Sequence, residues 1–500
     1  MARPVPGPLA SGGIVSIAKT ALTWFEIFIL SYFSILVLLY TLSGILGLRA
    51  IIAYARRRSP TALKDLAEHD FYRPISVLVP AYNEELTIVH NVRAMLALEY
   101  PEFEVIVACD GSTDATLDRL VEGFSLVEIP PAYRRVLDSR MVRATYRSLT
   151  HPNLSVVDKV NGGKADANNA ALNIAKYPIV CVVDADCLLD PDALLRAARV
   201  FGEDESVIAV GGTLRPLNGA VVRDGRVVDA RAPKTWVERF QVLEYTRAFF
   251  AYRAGWSYIN CLMIISGGFG LFRRDALIEV GGWRRGYVAD DMEVVVHLHR
   301  HFREQRRRYR IVFSPDPICW TEVPSTFKAL RKQRDGWQRG LLEVLWRHRV
   351  MLCNPRYGRA GLLGIPFLWV FEAAAAEIEA LGYIVIVVTA VLGILNVAFA
   401  ILFLAMALLF SVLLSQLAFG IETLLLERYP RMSDRLALFA SAFVEFLGYH
   451  QVIAFVRATS VFRVRSRHGK YWTTDRAGLV AGDGGHAEDD QQRAVVDGGS

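Results

Sequence analysis

Two hydrophobic patterns divide the chain. From Ala21 to about Leu46 almost every position is apolar, with Glu26 the exception, and apolar stretches return from Gly361 to Gly420 and from Leu436 to Val456. Runs of this length and composition read as membrane-spanning helices. Between them the apolar runs are short, rich in β-branched residues and stopped by polar clusters: Ile75–Pro80, Val105–Cys109, Leu154–Val157 and Ile179–Val183. Such runs predict buried parallel strands. Helical patterns follow them, to about Leu98, after Asp114, and through Ala171 and Asn173. Strand alternating with helix predicts an α/β domain whose mostly parallel sheet is covered on both faces. Each polar cluster lies just after its strand, so the clusters should converge on the carboxyl edge of the sheet, where such sheets bind ligands.

The remaining stretches complete the layout. Residues 124–150 lack clear periodicity, contain Pro130-Pro131 and read as an inserted loop. A helical stripe runs from Trp236 to about Trp256, Gly267-Gly-Phe-Gly270 reads as a tight turn, and Asp290-Asp291 opens another helix. Ser325 is placed to cap a long helix reaching about Arg349. That helix sets Phe327, Leu330, Trp337, Leu341 and Leu345 against Lys328, Arg331, Lys332, Arg339, Arg347 and Arg349. The pattern predicts a basic amphipathic helix in a membrane interface. Glu372, Glu377 and Glu379 are costly in hydrocarbon and place about 361–378 at the interface or against protein. The expected organisation is a tail at 1–20, a span at 21–48, a central domain at 65–320 and an interface helix at 321–360. A membrane region of three or four segments at 361–457 follows, and then a basic, disordered tail at 458–500.

Composition and charge refine this. The hydrophobic fraction of 53% exceeds ordinary soluble usage and is concentrated at the two ends. The net charge of +6 is too modest to argue for nucleic acid. Arg49, Arg56, Arg57, Arg58 and Lys64 follow the first span, so the positive-inside rule places the central domain in the cytoplasm and the N-terminus outside. The first span reads as a signal anchor, because it has neither a basic n-region nor a small-residue cleavage site. The 6 cysteines show no zinc-type pairing and read as reduced thiols. His297, His299 and His301 read as solvated or satisfied histidines rather than ligands.

The candidate chemistry sits at the polar clusters. Asp184 and Asp186 end an apolar strand on one side of an extended chain. Two hard oxygen donors there suit Mg²⁺ or Mn²⁺ carrying a diphosphate. Lys164, after two glycines, is better placed for phosphate or base than for packing. Several acidic residues have bland alternatives. Asp290 reads as a helix cap, Glu84 and Glu85 as first-turn charges, and Asp114 equally as a cap or a ligand contact.

Taken in order, these motifs resemble the membrane-embedded family 2 glycosyltransferases: the cellulose, chitin, hyaluronan, poly-N-acetylglucosamine and nodulation chitooligosaccharide synthases. The resemblance covers roughly residues 20 to 460 and implies a GT-A-type nucleotide-sugar-binding domain inserted between transmembrane helices. Val79-Pro-Ala-Tyr-Asn-Glu84 resembles the first nucleotide loop, which implicates Pro80, Tyr82 and Glu84. Asp110-Gly-Ser-Thr-Asp114 resembles the uridine-binding turn, and Gly162-Gly-Lys-Ala-Asp166 the lysine loop, so Asp110, Lys164 and Asp184 join the donor set. Asp186 is the implied metal ligand and Asp291, second of the acidic pair, the implied catalytic base. Gly268 and Phe269, with Gln333 and Trp337 of a Gln-x-x-Arg-Trp-like motif, are the implied acceptor contacts. Gln333 and Trp337 are four apart and share a helical face.

One position departs from the pattern: Gly336 stands where the family has Arg before Trp. The resemblance implies an inverting, metal-dependent transfer from a UDP-sugar to a β-linked polysaccharide or oligosaccharide, at the inner or plasma membrane. UDP-N-acetylglucosamine or UDP-glucose is the expected donor, and the partners are a glycan or lipid acceptor, the bilayer, and export or accessory subunits. A single-step glycolipid synthase is the alternative enzyme. Gly336 also keeps open a catalytically weak nucleotide-sugar-binding partner of another synthase.

Overall fold

The computed structural model describes residues 9–57, 72–130, 133–425 and 429–463. The basic residues Arg58 and Lys64, the start of the central domain at 65–71 and the tail from 464 lie outside them.

A ten-stranded sheet carries the central domain. In chain order its strands are β1 (Ile75–Ala81), β2 (Phe103–Cys109), β3 (Leu126–Ile129), β4 (Val142–Ser148), β5 (Leu154–Lys159), β6 (Ile179–Val183) and β7 (Leu188–Leu189). β8 (Val207–Pro216) comes next. A separate hairpin, β9 (Val221–Arg223) and β10 (Arg226–Asp229), interrupts the count before β11 (Phe269–Arg273) and β12 (Arg310–Thr321). The spatial order is β3-β4-β5-β2-β1-β6-β11-β8-β12-β7. β1 pairs in parallel with β2 on one side and β6 on the other, and β2 pairs in parallel with β5. The chain thus leaves β1 towards one edge and later returns to its other side. That reversal opens a crevice at the carboxyl ends of β1, β2 and β6. β11 runs antiparallel between β6 and β8, so the sheet is mixed, though mostly parallel.

Two expectations are corrected. Residues 124–150 are not a plain loop, since β3 and β4 pair antiparallel and extend the sheet beyond β5. Their alternation is diluted by arginines and a glutamate on the solvent face, as befits an edge. The long helix spans Phe327–Arg347 and is capped by Thr326, whose hydroxyl accepts from the Ala329 amide. Ser325 instead donates to Glu238 Oε1 at 2.6 Å.

The same helix also packs differently from the two-sided pattern. Gln333, Arg334, Gln338 and Arg339 are buried, while Phe327 and Trp337 are exposed. Polar bonds hold the buried side: Gln338 donates to Ala373 O at 2.9 Å, Arg457 donates to Gln338 Oε1 at 2.9 Å, and Asp335 accepts from Ser460 at 2.8 Å.

Among the described residues, three helices are long and apolar enough to cross a membrane: Ser16–Arg56, Ala360–Val391 and Val397–Thr423. A pair bent by 60°, Met432–Val444 with Tyr449–Arg463, makes a fourth if it counts as one span. The acidic residues of the second helix face protein, Glu372 bonding Tyr40 and Glu379 pairing with His450 at 3.0 Å. The central domain grips the bundle through buried ion pairs. Arg247 forks onto Glu445, and Arg215 meets Glu422 at 2.5 Å. Close backbone approach completes the joint, because a Cβ on Gly47 would lie 2.6 Å from Phe250 O.

Candidate active site

Each wall of the crevice is built by a strand end. At the end of β2, Asp110 is buried and accepts from the amides of Gly162 at 2.9 Å and Gly163 at 2.7 Å. The second bond is made from a left-handed backbone, φ 88° at Gly163, which favours glycine. Lys159, the last residue of β5, is fully buried, is bonded to Asp110, and lies 3.3 Å from Asp166. Sequence reasoning missed this lysine. The signal was a charged residue ending an apolar strand just before the glycine pair.

After β1, the loop carrying Tyr82 and Glu84 is tied to the loop after β2. Asn83, at φ 56°, accepts from Thr113 N at 2.8 Å, and Glu84 N donates to Thr116 Oγ1 at 2.8 Å. Asp114 accepts from Thr116 N at 3.0 Å, which satisfies it as a local cap. Glu85 accepts from Ala115 N at 2.9 Å. Tyr82 is 40% exposed and Pro80 is half-buried, so both border open space beside the crevice.

The central contact joins three motifs. Lys164 Nζ lies 2.5 Å from Asp184 Oδ1 and donates to Gly267 O at 3.2 Å. The Gly267 amide donates to Asp291 Oδ2 at 3.0 Å, and the other carboxylate oxygen accepts from Met292 N at 2.8 Å. A Cβ on Gly267 would stand 2.7 Å from Lys164 Nζ, so a larger residue there would have to displace the ammonium. Gly268 borders the same space, its would-be Cβ lying 3.8 Å from Asp184 Oδ2.

Phe269 departs from expectation. Its side chain is fully buried in the sheet core as the first residue of β11, so the structure does not bring it to the crevice. Gln333 and Trp337 are neighbours through a third residue. Arg334 donates to Gln333 Oε1 at 2.8 Å and stacks over the Trp337 ring at 4.2 Å. Glu244 holds the same guanidinium. Trp337 stays 45% exposed with the Arg334 guanidinium over its ring.

The electrostatics separate the acidic pair. Burial pushes Asp290 up to about 7, the Asp291 and Asp184 charges adding to it against Lys164. Burial also raises Asp291 above the usual carboxylate range, while Lys164, the Met292 amide and the nearby Arg253 pull it back. Arg253 enters from the π-helical segment Arg247–Arg253 and donates to Ser266 Oγ at 2.6 Å. No motif pointed to it.

The donor set fits a divalent ion. Ligand atoms of Asp184, Asp186 and Cys187 lie within 4.8 Å of one another, the one such group among the described residues. The histidines do not take part: His299 is spent between Tyr309 OH at 2.7 Å and Leu262 O at 2.9 Å.

A crevice walled by Asp110, Lys164, the Asp-Ala-Asp strand end and Asp291 coincides with a family match. The family described as "Glycosyltransferase like family 2" matches residues 73–340, more than half of the chain. The chain belongs to glycosyltransferase family 2. Its catalytic domain has the GT-A-like fold, a mostly parallel mixed sheet flanked by apolar helices that could cross a membrane.

Among curated relatives, the poly-β-1,6-N-acetyl-D-glucosamine synthase of Staphylococcus epidermidis is 30% identical over 281 residues, 56% of this chain and 58% of the relative. The synthase of the same name from Staphylococcus aureus (strain COL) is 29% identical over 274 residues, 55% of this chain and 56% of the relative. The chain therefore spans less than two thirds of the length of these relatives. Among solved structures, a mannosyltransferase from Pyrobaculum calidifontis in complex with GDP-Man and Mn²⁺ aligns with a TM-score of 0.45 at 21% identity, over 83% of this chain and 99% of that one.

Proposed function

We propose that this family 2 glycosyltransferase transfers a sugar, with inversion, from a UDP-sugar to a β-linked glycan at the membrane. N-acetylglucosamine is the sugar favoured by the names of its relatives. The observation that carries the reading is the convergence of Lys164, Asp184, Gly267 and Asp291 through contacts of 3.2 Å or less. It sets the donor motif and the acidic pair on either side of one glycine turn.

In this reading Asp110 and the loop of Pro80, Tyr82 and Glu84 hold the nucleotide. Asp186, with Asp184, holds Mg²⁺ or Mn²⁺, which when bound offsets the charge of the departing diphosphate. Lys164 serves the same anion from the side of the glycine turn. Trp337 stacks the acceptor sugar while Gln333 and Gly268 border it. Asp291 takes the proton of the acceptor hydroxyl as its oxygen bonds to the anomeric carbon and UDP leaves with the bonding electrons. In the same reading the arginines that follow the first helix put this chemistry on the cytoplasmic side, by the positive-inside rule.

The test is UDP release by the purified chain across a panel of UDP-sugars with Mg²⁺ and with Mn²⁺. Sugar-dependent release that Asp186→Ala abolishes, together with its donor and metal binding, supports the reading. Unchanged donor affinity and metal dependence in Asp186→Ala would remove Asp186 as the ligand. Polymer as against a single glycolipid, in membranes fed labelled donor, separates the synthase from the single-step enzyme. Donor binding with no UDP release under any acceptor condition would favour the silent partner that Gly336 allows.

A further inference from the structure

The residue after the Asp-Ala-Asp triplet is a buried thiol, and it is aimed at the carboxylates. Cys187 is 1% exposed, and its Sγ lies 3.8 Å from Asp186 Oδ1. Two features hold it there. The chain turns back after β6, so that Cys187 N donates to Asp184 O at 3.0 Å. The next two residues, Leu188 and Leu189, then pair with Trp320 and Cys319 of β12, which clamps the turn to the sheet.

Behind the thiol, Cys319 donates to Gly268 O at 3.5 Å. In front of it Gly268 lets the backbone come close: a Cβ there would meet Leu214 Cδ2 at 3.1 Å, Cys187 Sγ at 3.3 Å and Asp184 Oδ2 at 3.8 Å.

Most buried cysteines act as small hydrophobes. Cys181, inside β6 and packed in the core, fits that description. Cys187 belongs to the same core, but its sulfur also falls in one group of potential ligand atoms, within 4.8 Å, with two carboxylates. On the Asp184 side, Lys164 already engages one oxygen at 2.5 Å. Asp186 and the Cys187 sulfur would be the other close protein donors to an ion held here.

We propose that Cys187 is a third donor to the ion at Asp184 and Asp186, and that its sulfur makes the site favour Mn²⁺ over Mg²⁺ and accept Cd²⁺ or Zn²⁺. This rests on the metal reading above. Carboxylates alone suit Mg²⁺ and Mn²⁺ alike, whereas a thiolate selects the softer ions. Binding through sulfur releases the thiol proton to solvent.

The experiment uses the purified full chain carrying Cys353→Ser, because Cys353 is the exposed cysteine and would bind cadmium adventitiously. Cd²⁺ titration should produce a sulfur-to-cadmium charge-transfer band at one equivalent. Adding Cys187→Ser should abolish the band and narrow the Mn²⁺/Mg²⁺ affinity ratio about 10-fold or more, the scale on which changes around a metal ligand set act. An unchanged ratio with no sulfur band, in a chain that still binds Mn²⁺, overturns the inference and leaves the carboxylate site standing. Ion affinity indifferent to Asp186→Ala would instead bring down the metal reading itself. Should Cys187→Ser fail to fold, cadmium NMR of the chain with Cys187 intact decides the matter. A sulfur-ligated shift supports the donor role, and an all-oxygen shift excludes it.

Discussion

Lys164 Nζ stands 2.5 Å from Asp184 Oδ1 while reaching Gly267 O at 3.2 Å, so one ammonium spans the crevice. Burial works against its charge, yet Asp184, Asp290 and Asp291 together hold it protonated well above the usual lysine range. The consequence is a fixed cation between the donor motif and the acidic pair, placed before any substrate arrives. In the proposed reaction, preorganised charge of this kind would stabilise the leaving diphosphate without reorganisation during the reaction.

The second buried lysine gives a stability prediction. Lys159 bonds Asp110 and lies 3.3 Å from Asp166, all three being buried. Removing one member of a buried charge network leaves the others uncompensated, at a cost of about 3–5 kcal/mol. Lys159→Met should therefore lower the unfolding temperature and weaken UDP binding together, because Asp110 loses its anchor. Thermal unfolding and UDP titration check this. A variant of wild-type stability and UDP affinity would make the network dispensable.

Much of this site was legible because strand ends announce themselves. β1, β2 and β6 are apolar runs stopped by Asn83, Asp110 and Asp184, and the parallel topology then fixes where those residues meet. What stayed hidden depends on contacts between distant segments. Phe269 sits in a glycine turn by sequence, but pairing of β11 with β6 turns its ring into the core. Arg253 lies in a helical stripe whose period says nothing of a π-helical segment aimed at Ser266. The helix Phe327–Arg347 reads as a basic amphipathic helix in a membrane interface until Ala373, Arg457 and Ser460 are seen to bond its buried polar residues.

Gly336 yields a gain-of-function prediction. The nearby guanidiniums are occupied, Arg334 by Glu244 and Arg339 by Asp335 at 3.1 Å. Position 336 lies one helical turn before Gly340, whose would-be Cβ meets Ala289 Cβ at 2.7 Å, so an arginine there starts near the head of the Asp290 helix. Glycine inside a helix costs about 1 kcal/mol relative to alanine, so replacing it carries no propensity penalty. Gly336→Arg should raise transfer rate or product length by binding phosphate oxygens in bidentate fashion. A folded variant with lower activity would show that this packed turn requires the small residue.

Topology can be read with a native probe. Cys353 is exposed, whereas the other five cysteines are buried. It lies just before the helix Ala360–Val391, and among the described residues no candidate span separates it from the central domain. The positive-inside rule applied to Arg49, Arg56 and Arg57 predicts that this side faces inward, so an impermeant maleimide should label Cys353 in permeabilised cells and not in intact ones. Labelling in intact cells would invert the orientation.

Asp290 makes folding stability depend on pH. Its folded pKa is pushed up to about 7, by burial first and then by the Asp291 and Asp184 charges. An unfolded aspartate titrates at about 3.9. The fold thus favours the neutral acid. That contribution is complete below about pH 3.9 and is lost as pH rises through about 7. Asp290→Asn, permanently neutral, should show a smaller fall in unfolding temperature between about pH 5 and 8 than the wild type. Parallel curves for the two proteins would mean that Asp290 is ionised in the fold throughout.

Asp291 decides whether the crevice performs the proposed displacement. A sugar hydroxyl attacks slowly unless its proton is removed as the bond forms, and a positioned carboxylate contributes about 10²–10⁴-fold. The competing role is structural. Asp291 accepts from Met292 N at 2.8 Å and from Gly267 N at 3.0 Å, and a carboxylate at a helix start is worth about 0.3–1 kcal/mol. Asp291→Asn keeps the size and one acceptor oxygen, but turns an NH₂ group towards the other amide and cannot take a proton. UDP and metal affinity should stay near wild type while transfer falls by the full general-base factor. In the wild type, the acid limb of kcat/KM should lie above the ordinary carboxylate range, because burial raises Asp291 and activity is lost as it protonates. Transfer by Asp291→Asn within a few-fold of wild type would leave Asp291 a structural residue. The search for the base would then turn to Asp290, whose second oxygen is buried without a hydrogen-bond partner.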